Sequence, residues 1–303
     1  MSAAAEITPT RAWILAARPA TLPAAIVPVL VGAAAAFAED GAFRPLVFAM
    51  TLLCSILIQI GTNFANDYSD FLKGADHEGR LGPVRVTQSG LISQSEVKRG
   101  IFIAFGFAVL VGAYLAWIGG LPIIAIGILS VLAGLAYTGG PFPLGYNGLG
   151  DVFVFVFFGM IAVTGTAFLQ TDHWSIFALL LSIPIGLLVT NILVVNNLRD
   201  LPTDAAAGKR TLATRIGDRA TRVQYALFTV AAYLIVVALS VSQPGRRWML
   251  LPLLTVPLAF DLTRRVLGGL SGRDLNLMLK RTSQLLLAFG LLLAIGAALS
   301  APR

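Results

Sequence analysis

Residues 46–61, LVFAMTLLCSILIQIG, run sixteen positions without a charge, and within a few residues the chain reads NDYSDFLKGAD, Asn66 to Asp76. The first stretch belongs to a segment long and apolar enough to cross a bilayer as a helix, which takes about 20 residues. The second places three aspartates and a lysine at its end, where carboxylates are costly unless something compensates them. Together they ask for a membrane fold with a polar site at one face.

Composition agrees with this reading. Of 303 residues 57% are hydrophobic and 12% charged, and the mean hydropathy is +0.82. Both values lie far from those of an average soluble domain. Nine apolar segments recur, over about 12–38, 43–68, 99–118, 120–138, 151–170, 175–198, 221–242, 247–267 and 282–300. The expected fold is an all-α, polytopic bundle of nine transmembrane helices forming a single domain, 1–303. Gly119 and Gly120 alone separate the third and fourth segments, a tight turn between antiparallel helices. Arg11 and Arg18 before GAAAAFAED superficially resemble a leader with a cleavage site. Pro19, Pro23 and Pro28 and the many later spans favour a first transmembrane helix instead. Spans two and six each end in an Asn/Asp-rich basic segment, which suggests two four-helix units with a ninth helix added.

The net charge of +7 does not imply nucleic acid, because the basic residues lie in short loops between apolar segments. With the N-terminus inside, 18 of the 22 Lys and Arg residues fall on the cytoplasmic side, as the positive-inside rule requires. The expected location is therefore the plasma membrane, with the polar segments facing the cytoplasm. Cys54 is the only cysteine, so neither an intramolecular disulfide nor a cysteine metal site is possible. His173 falls beside Asp172 in a short outer loop and reads as interfacial.

Two segments carry the chemistry. Residues three or four apart share a helix face, so Asn63, Asn66 or Asp67, and Asp70 form one polar stripe, with Gly74 ending the helix and Asp76 in the loop beyond. In the second segment Asn196, Asp200 and Asp204 are spaced by four, and Pro202 is expected to break the helix before Asp204. Acids contribute little to orientation, yet seven of the 15 acidic residues lie in these two segments. Oxygen ligands without His or Cys suit a hard ion such as Mg²⁺, which binds one or two carboxylates and bridges to phosphates. Lys73, Arg80, Arg85, Arg199, Lys209 and Arg210 are interleaved and suited to phosphate oxygens. The pattern reads as a magnesium–diphosphate site. A carrier of phosphorylated lipids would also want basic clusters, but it needs access from both sides, and the outer loops are short and nearly uncharged.

At these residues the sequence resembles the UbiA family of intramembrane aromatic prenyltransferases. The first motif is Asn66-Asp67-Tyr68-Ser69-Asp70 with Asp76, and the second is Asp200-Leu201-Pro202-Thr203-Asp204, continuing into GKRTLATRIG. The spacing of Asp76, the run GRLGPVRVTQSGLIS, AARPATLPAAIVPVLVG and YTGGPFPLGYNGLGD are similar to the menaquinone-pathway branch. That resemblance implies transfer of a polyprenyl group from polyprenyl diphosphate to 1,4-dihydroxy-2-naphthoate, with loss of pyrophosphate and carbon dioxide. Hydroxybenzoate and homogentisate are the alternative acceptors. It further implies Mg²⁺ held by Asn66, Asp70, Asp76, Asp200 and Asp204, with Asp67 in the catalytic set. Lys73, Arg199, Lys209 and Arg210 are then expected on the diphosphate, and Arg80, Arg85, Gln88 and Tyr137 on the acceptor. An allylic cation needs a dry, π-rich cavity, for which Phe64, Tyr68, Phe71, Tyr137, Phe142 and Tyr146 are candidates. The partners are the two substrates and membrane lipid.

Overall fold

A computed structural model describes residues 7–74, 81–242 and 245–301, and these residues form helices and turns without a strand. Asp76 and Arg80, both expected at the site, lie outside the described residues.

The N-terminal segment is two helices, not the single one expected over 12–38. Helix α1 (Pro9–Ala17) is capped by the Thr8 side chain and ends at Arg18, whose backbone is left-handed at φ 52°. A short 3₁₀ turn, Pro19–Thr21, leads into α2 (Pro23–Asp40). Pro19 lacks an N–H and restricts the residue before it, so a straight helix cannot pass this point.

Helix α3 (Pro45–Leu72) carries the first motif and closes with Gly74 at φ +64°. Helix α4 (Gln94–Ala136) starts with a Ser93/Glu96 capping box. It reverses at Gly120, whose φ of 63° and ψ of −153° no side-chain-bearing residue adopts comfortably. The doublet Gly119-Gly120 thus makes the turn expected of it. Helix α5 (Gly150–Val154), a π segment (Phe155–Ile161) and α6 (Ala162–Thr171) form one continuous rod.

Helix α7 (Ile176–Ala206) contains Pro184 and Pro202, which corrects the expected break before Asp204. Pro202 sits on the exposed side near the helix end, where it removes only one intrahelical bond, and Thr203 Oγ1 donates to Asp200 O at 2.8 Å across the same turn. As a result Asp200 and Asp204 stay one helical turn apart on one face. Helix α8 (Leu212–Ser242) kinks at Gly217, a 3₁₀ stretch (Arg247–Thr255) continues as α9 (Val256–Leu267), and α10 (Asp274–Leu299) begins eight residues before the expected 282.

Among the described residues seven helices are long and apolar enough to cross a membrane, counting α4 once and the rod 150–171 once. The core centres on α7, where Leu181, Ile185, Leu188 and Val195 are almost completely enclosed. The outward faces carry Phe102, Leu110, Trp117, Leu227 and Phe260, all exposed, as lipid-facing surfaces are. Lipid tails are as apolar as leucine, so helix association rests on close packing and interhelical polar ties. Both occur here. A Cβ on Gly159 would meet Gly186 Cα at 2.6 Å, so the rod and α7 touch backbone to backbone. Asn191 Nδ2 donates to Tyr225 O and Thr229 Oγ1, each at 3.0 Å, joining α7 to α8.

Candidate active site

The polar stripe on α3 falls where the spacing put it. Asn63, Asn66, Asp67 and Asp70 are all buried, and Asn63, Asn66 and Asp70 line a cavity of about 350 Å³. From α7 the same cavity receives Asn196, Asn197, Asp200, Thr203 and Asp204. One side of each motif therefore faces a common space. Its deeper walls are apolar and include Leu115, Ile123, Ile126 and Leu169.

Each carboxylate has its own setting. Asp70 accepts from Arg85 Nη2 at 2.8 Å and from the Tyr146 hydroxyl at 2.5 Å, with Lys209 Nζ 3.5 Å away. Lys209 also lies 3.7 Å from Asp204, so one ammonium stands between an acid of each motif. Asp67 points elsewhere. It accepts from the backbone N–H of Thr87 at 3.0 Å and from its hydroxyl, and Arg85 Nη1 lies 4.0 Å from it. Asp67 thereby fastens the loop after α3 to the helix. Asp200 is gripped in fork fashion by Arg199 at 2.8 and 2.5 Å. Arg199 in turn donates to Asn196 and Asn276, each at 2.9 Å, and is 1% exposed.

The other expected residues are spread more widely. Lys209 and Arg85 line the cavity, as does Tyr137, but Lys73, Arg199, Arg210, Gln88 and Asp67 do not. Lys73 Nζ donates to Thr138 O at 2.6 Å and sits 5.0 Å above the Tyr146 ring. Loss of hydration lowers its pKa, Asp70 opposes that shift, and Lys209 adds to it. Lys209 lies 4.5 Å over the same ring. Arg210 is exposed, and its backbone N–H donates to Tyr146 O at 3.0 Å. Of the aromatics proposed to wall the cavity, Tyr137 and Tyr146 do so, whereas Phe64, Tyr68, Phe71 and Phe142 do not. Phe64 packs instead against Trp13, with ring centroids 5.4 Å apart. Phe153, Phe157 and Phe158 supply the π surface, and the first two stack at 5.7 Å. They come from the rod 150–171, whose uniform hydrophobicity left no face distinguishable in sequence.

Three further groups were missed. Arg18 lines the cavity, although its sequence position suggested only topology. Thr138 Oγ1 donates to Asn66 Oδ1 at 2.8 Å, and Asn276, 76 residues beyond Asp200, orders Arg199. No local pattern announces such long-range partners.

Far from this site, His173 Nε2 meets Asp40 at 2.7 Å in an exposed pair, and Arg44 pairs with Asp172. The hydrogen bond to Asp40 raises the His173 pKa above its ordinary value of 6.5.

A helical membrane bundle whose large chamber joins an apolar depth to a mouth of carboxylates, arginine and lysine defines a membrane-embedded protein with an intramembrane polar site. The match to the UbiA prenyltransferase family model covers residues 25–283, and the chain belongs to that family. It is 37% identical to the 1,4-dihydroxy-2-naphthoate octaprenyltransferase of Escherichia coli, over 97% of each chain. It is also 37% identical to the enzyme of the same name from Mycobacterium tuberculosis, over 93% of this chain and 95% of that one. The fold matches that of a UbiA homolog from Archaeoglobus fulgidus, solved bound to DMAPP and Mg²⁺, with a TM-score of 0.65 and 13% identity over 93% of this chain and 99% of that one.

Proposed function

We propose that the protein transfers a polyprenyl group from an allylic polyprenyl diphosphate to 1,4-dihydroxy-2-naphthoate. The bond between the allylic carbon and the diphosphate oxygen breaks, and a ring carbon takes the allylic carbon. The carboxyl on that same ring carbon leaves as carbon dioxide with its bonding electrons retained by the ring, giving the hydroquinone form, demethylmenaquinol, with no change of oxidation state. The observation that carries this reading is the meeting of Asp70 and Asp204 around one lysine at the mouth of an apolar cavity. The two full-length relatives named above support the choice of acceptor.

Among the described residues no group of three His, Cys, Asp or Glu gathers to hold a metal ion. The donor set nevertheless fits magnesium. Asn66, Asp70, Asp200 and Asp204 offer amide and carboxylate oxygens to one cavity, and Mg²⁺ needs no more than one or two carboxylates beside phosphate oxygens. When bound there, the ion supplies charge neutralisation to the departing pyrophosphate. The chain's own groups do the rest. Lys209, Lys73 and, nearer the surface, Arg210 are the diphosphate candidates. Arg199 holds Asp200 in place, acting through that carboxylate. Phe153, Phe157 and Tyr146 give the cationic allyl fragment π faces, and the apolar walls exclude water.

The proposal includes nine spans, obtained by dividing α4 at Gly120 and adding the helical run 247–267, with the N-terminus and the site on the cytoplasmic side of the plasma membrane. The basic-residue bias supports that orientation. Purified protein supplied with a labelled prenyl diphosphate and a panel of aromatic acceptors tests the reading. Turnover should require the naphthoate, cease with chelator and return with Mg²⁺. Equal use of hydroxybenzoate, or turnover that survives thorough chelation, would overturn it.

A further inference from the structure

We propose that Arg18 receives the carboxylate of the aromatic acceptor, a role that rests on the prenyl-transfer reading above. Three observations converge on it. The first is backbone conformation. Arg18 is one of two non-glycine residues with positive φ among those described, at φ 52° and ψ 70°, and it precedes a proline, which restricts it further. Such conformations persist only where the surroundings over-determine them, and they gather at functional sites.

The surroundings here are specific. Asn63 Nδ2 donates to Ala17 O at 2.9 Å and to Thr21 Oγ1 at 3.1 Å. Thr21 donates its N–H and its hydroxyl to Arg18 O, at 2.9 and 3.0 Å. Two side chains of the α3 stripe, Asn63 and Gln59, thus pin the corner between α1 and α2. That corner puts Arg18 in the wall of the cavity.

The second observation is depth. Asn63 lies seven residues before Asp70 on α3, about 10 Å further toward the apolar end at 1.5 Å per residue. A diphosphate held at Asp70, Asp204 and Lys209 occupies the mouth, so the corner that carries Arg18 is set below it. Tyr137 lines the same cavity as Arg18, Asp70 and Asp204. An acceptor ring lying against Tyr137 with its carboxylate on Arg18 faces the allylic carbon above.

The third is an orphaned acceptor beside it. Gln59 is 7% exposed and lines the cavity, and its Oε1 has no hydrogen-bond partner among the described residues. Its amide orientation is fixed, because Thr21 Oγ1 gives its own proton to Arg18 O and so must accept from Gln59 Nε2. A hydroxyl next to a ring carboxylate would donate to that Oε1 while the carboxylate takes the guanidinium. Arginine suits the task because its planar fork matches a carboxylate in two-point fashion, which lysine cannot do.

The test measures binding of 1-hydroxy-2-naphthoate and of 1-naphthol, which lacks the carboxylate, to the purified full-length protein by calorimetry, alongside KM for both substrates. The native protein should favour the carboxylated compound by about 10- to 100-fold, the range of a charge-assisted hydrogen bond. Arg18→Gly, which also suits the left-handed backbone, should fold normally and lose that preference. Arg18→Lys should raise the acceptor KM while leaving the KM for prenyl diphosphate within about twofold. Retained preference in folded Arg18→Gly would overturn the proposal, as would absence of a preference in the native protein or equal shifts in both KM values. If the native protein turns over another aromatic acid instead of the naphthoate, the acceptor reading fails by itself, and the same comparison made with that acid and its decarboxylated analogue decides the role of Arg18.

Discussion

Arg85 and Asp70 offer the sharpest energetic test. Their side chains are 8% and 4% exposed and bonded at 2.8 Å, so solvent screens the pair little. Removing one member of a buried ion pair costs about 3–5 kcal/mol, because the other charge is left unmatched. For Arg85→Met the lower figure applies, since Asp70 keeps the Tyr146 hydroxyl and Lys209, and Asp67 keeps both Thr87 donors. A loss of about 3 kcal/mol shifts the folding equilibrium roughly 150-fold. Asp70→Asn should lose a similar amount, since it removes the nearer carboxylate and leaves Asp67 at 4.0 Å from the Arg85 guanidinium. Part of each penalty is the weaker compensation of the charge that remains, so the double variant should be less destabilised than the two single losses combined. The expected coupling is about 1.5–3 kcal/mol. Reversible unfolding in mixed micelles of rising dodecyl sulfate content measures all four proteins. Additivity within about 0.5 kcal/mol would refute the pairing.

Further expectations concern other parts of the molecule. Gly159→Ala should drive the rod 150–171 off α7, because its Cβ would meet Gly186 Cα at 2.6 Å, and should cost about 1–3 kcal/mol in the same micelle assay. His173 has a raised pKa because of Asp40. The stabilisation from that pair is therefore complete below an unfolded-state pKa of about 6.5 and lost as pH rises through the folded value. Thermal stability should fall over that upward window in the native protein and not in His173→Gln. Orientation can be read by labelling single thiols placed at Ala206 or at Asp172 in a Cys54→Ser background. The Ala206 thiol should react from the cytoplasmic side alone and the Asp172 thiol from the outside alone, and the reverse pattern would sink the N-inside arrangement.

Hydropathy alone announced most of the helices, since a spanning helix must satisfy its backbone within itself and must be apolar for its whole length. The first motif was equally plain, because polar residues at helical spacing beside an apolar run are too costly at a membrane to persist without a role. The corner at Arg18 was less legible. Pro19 and Pro23 signalled an interruption, but the direction of the turn depends on Asn63 and Gln59, more than 35 residues away. Pro202 misled for the opposite reason, since a proline on the exposed side near a helix end costs one bond that the remaining contacts outweigh. The partition of basic residues escaped sequence reasoning altogether. Lys209 and Arg199 both neighbour the second motif, yet one reaches the cavity and the other is sealed beneath Asp200. Which way a side chain points depends on its place relative to α10, and that is settled only when Asn276 arrives.

The two cations that meet Asp70 also differ in when they are made. Arg85 leaves the ribosome 15 residues after Asp70 and Lys209 only 139 residues after it. At about 5–20 residues per second, the acid end of α3 has its near counterion within a few seconds of synthesis and waits about 7–28 seconds for the distant one. Helix α3 can thus enter the bilayer with its acid end matched by a charge only a short way further along the chain. Without Arg85, a nascent α3 would have to hold two carboxylates at the membrane until four more apolar segments had been translated. Variants at Arg85 should then insert less efficiently, and accumulate to lower levels, than variants at Lys209.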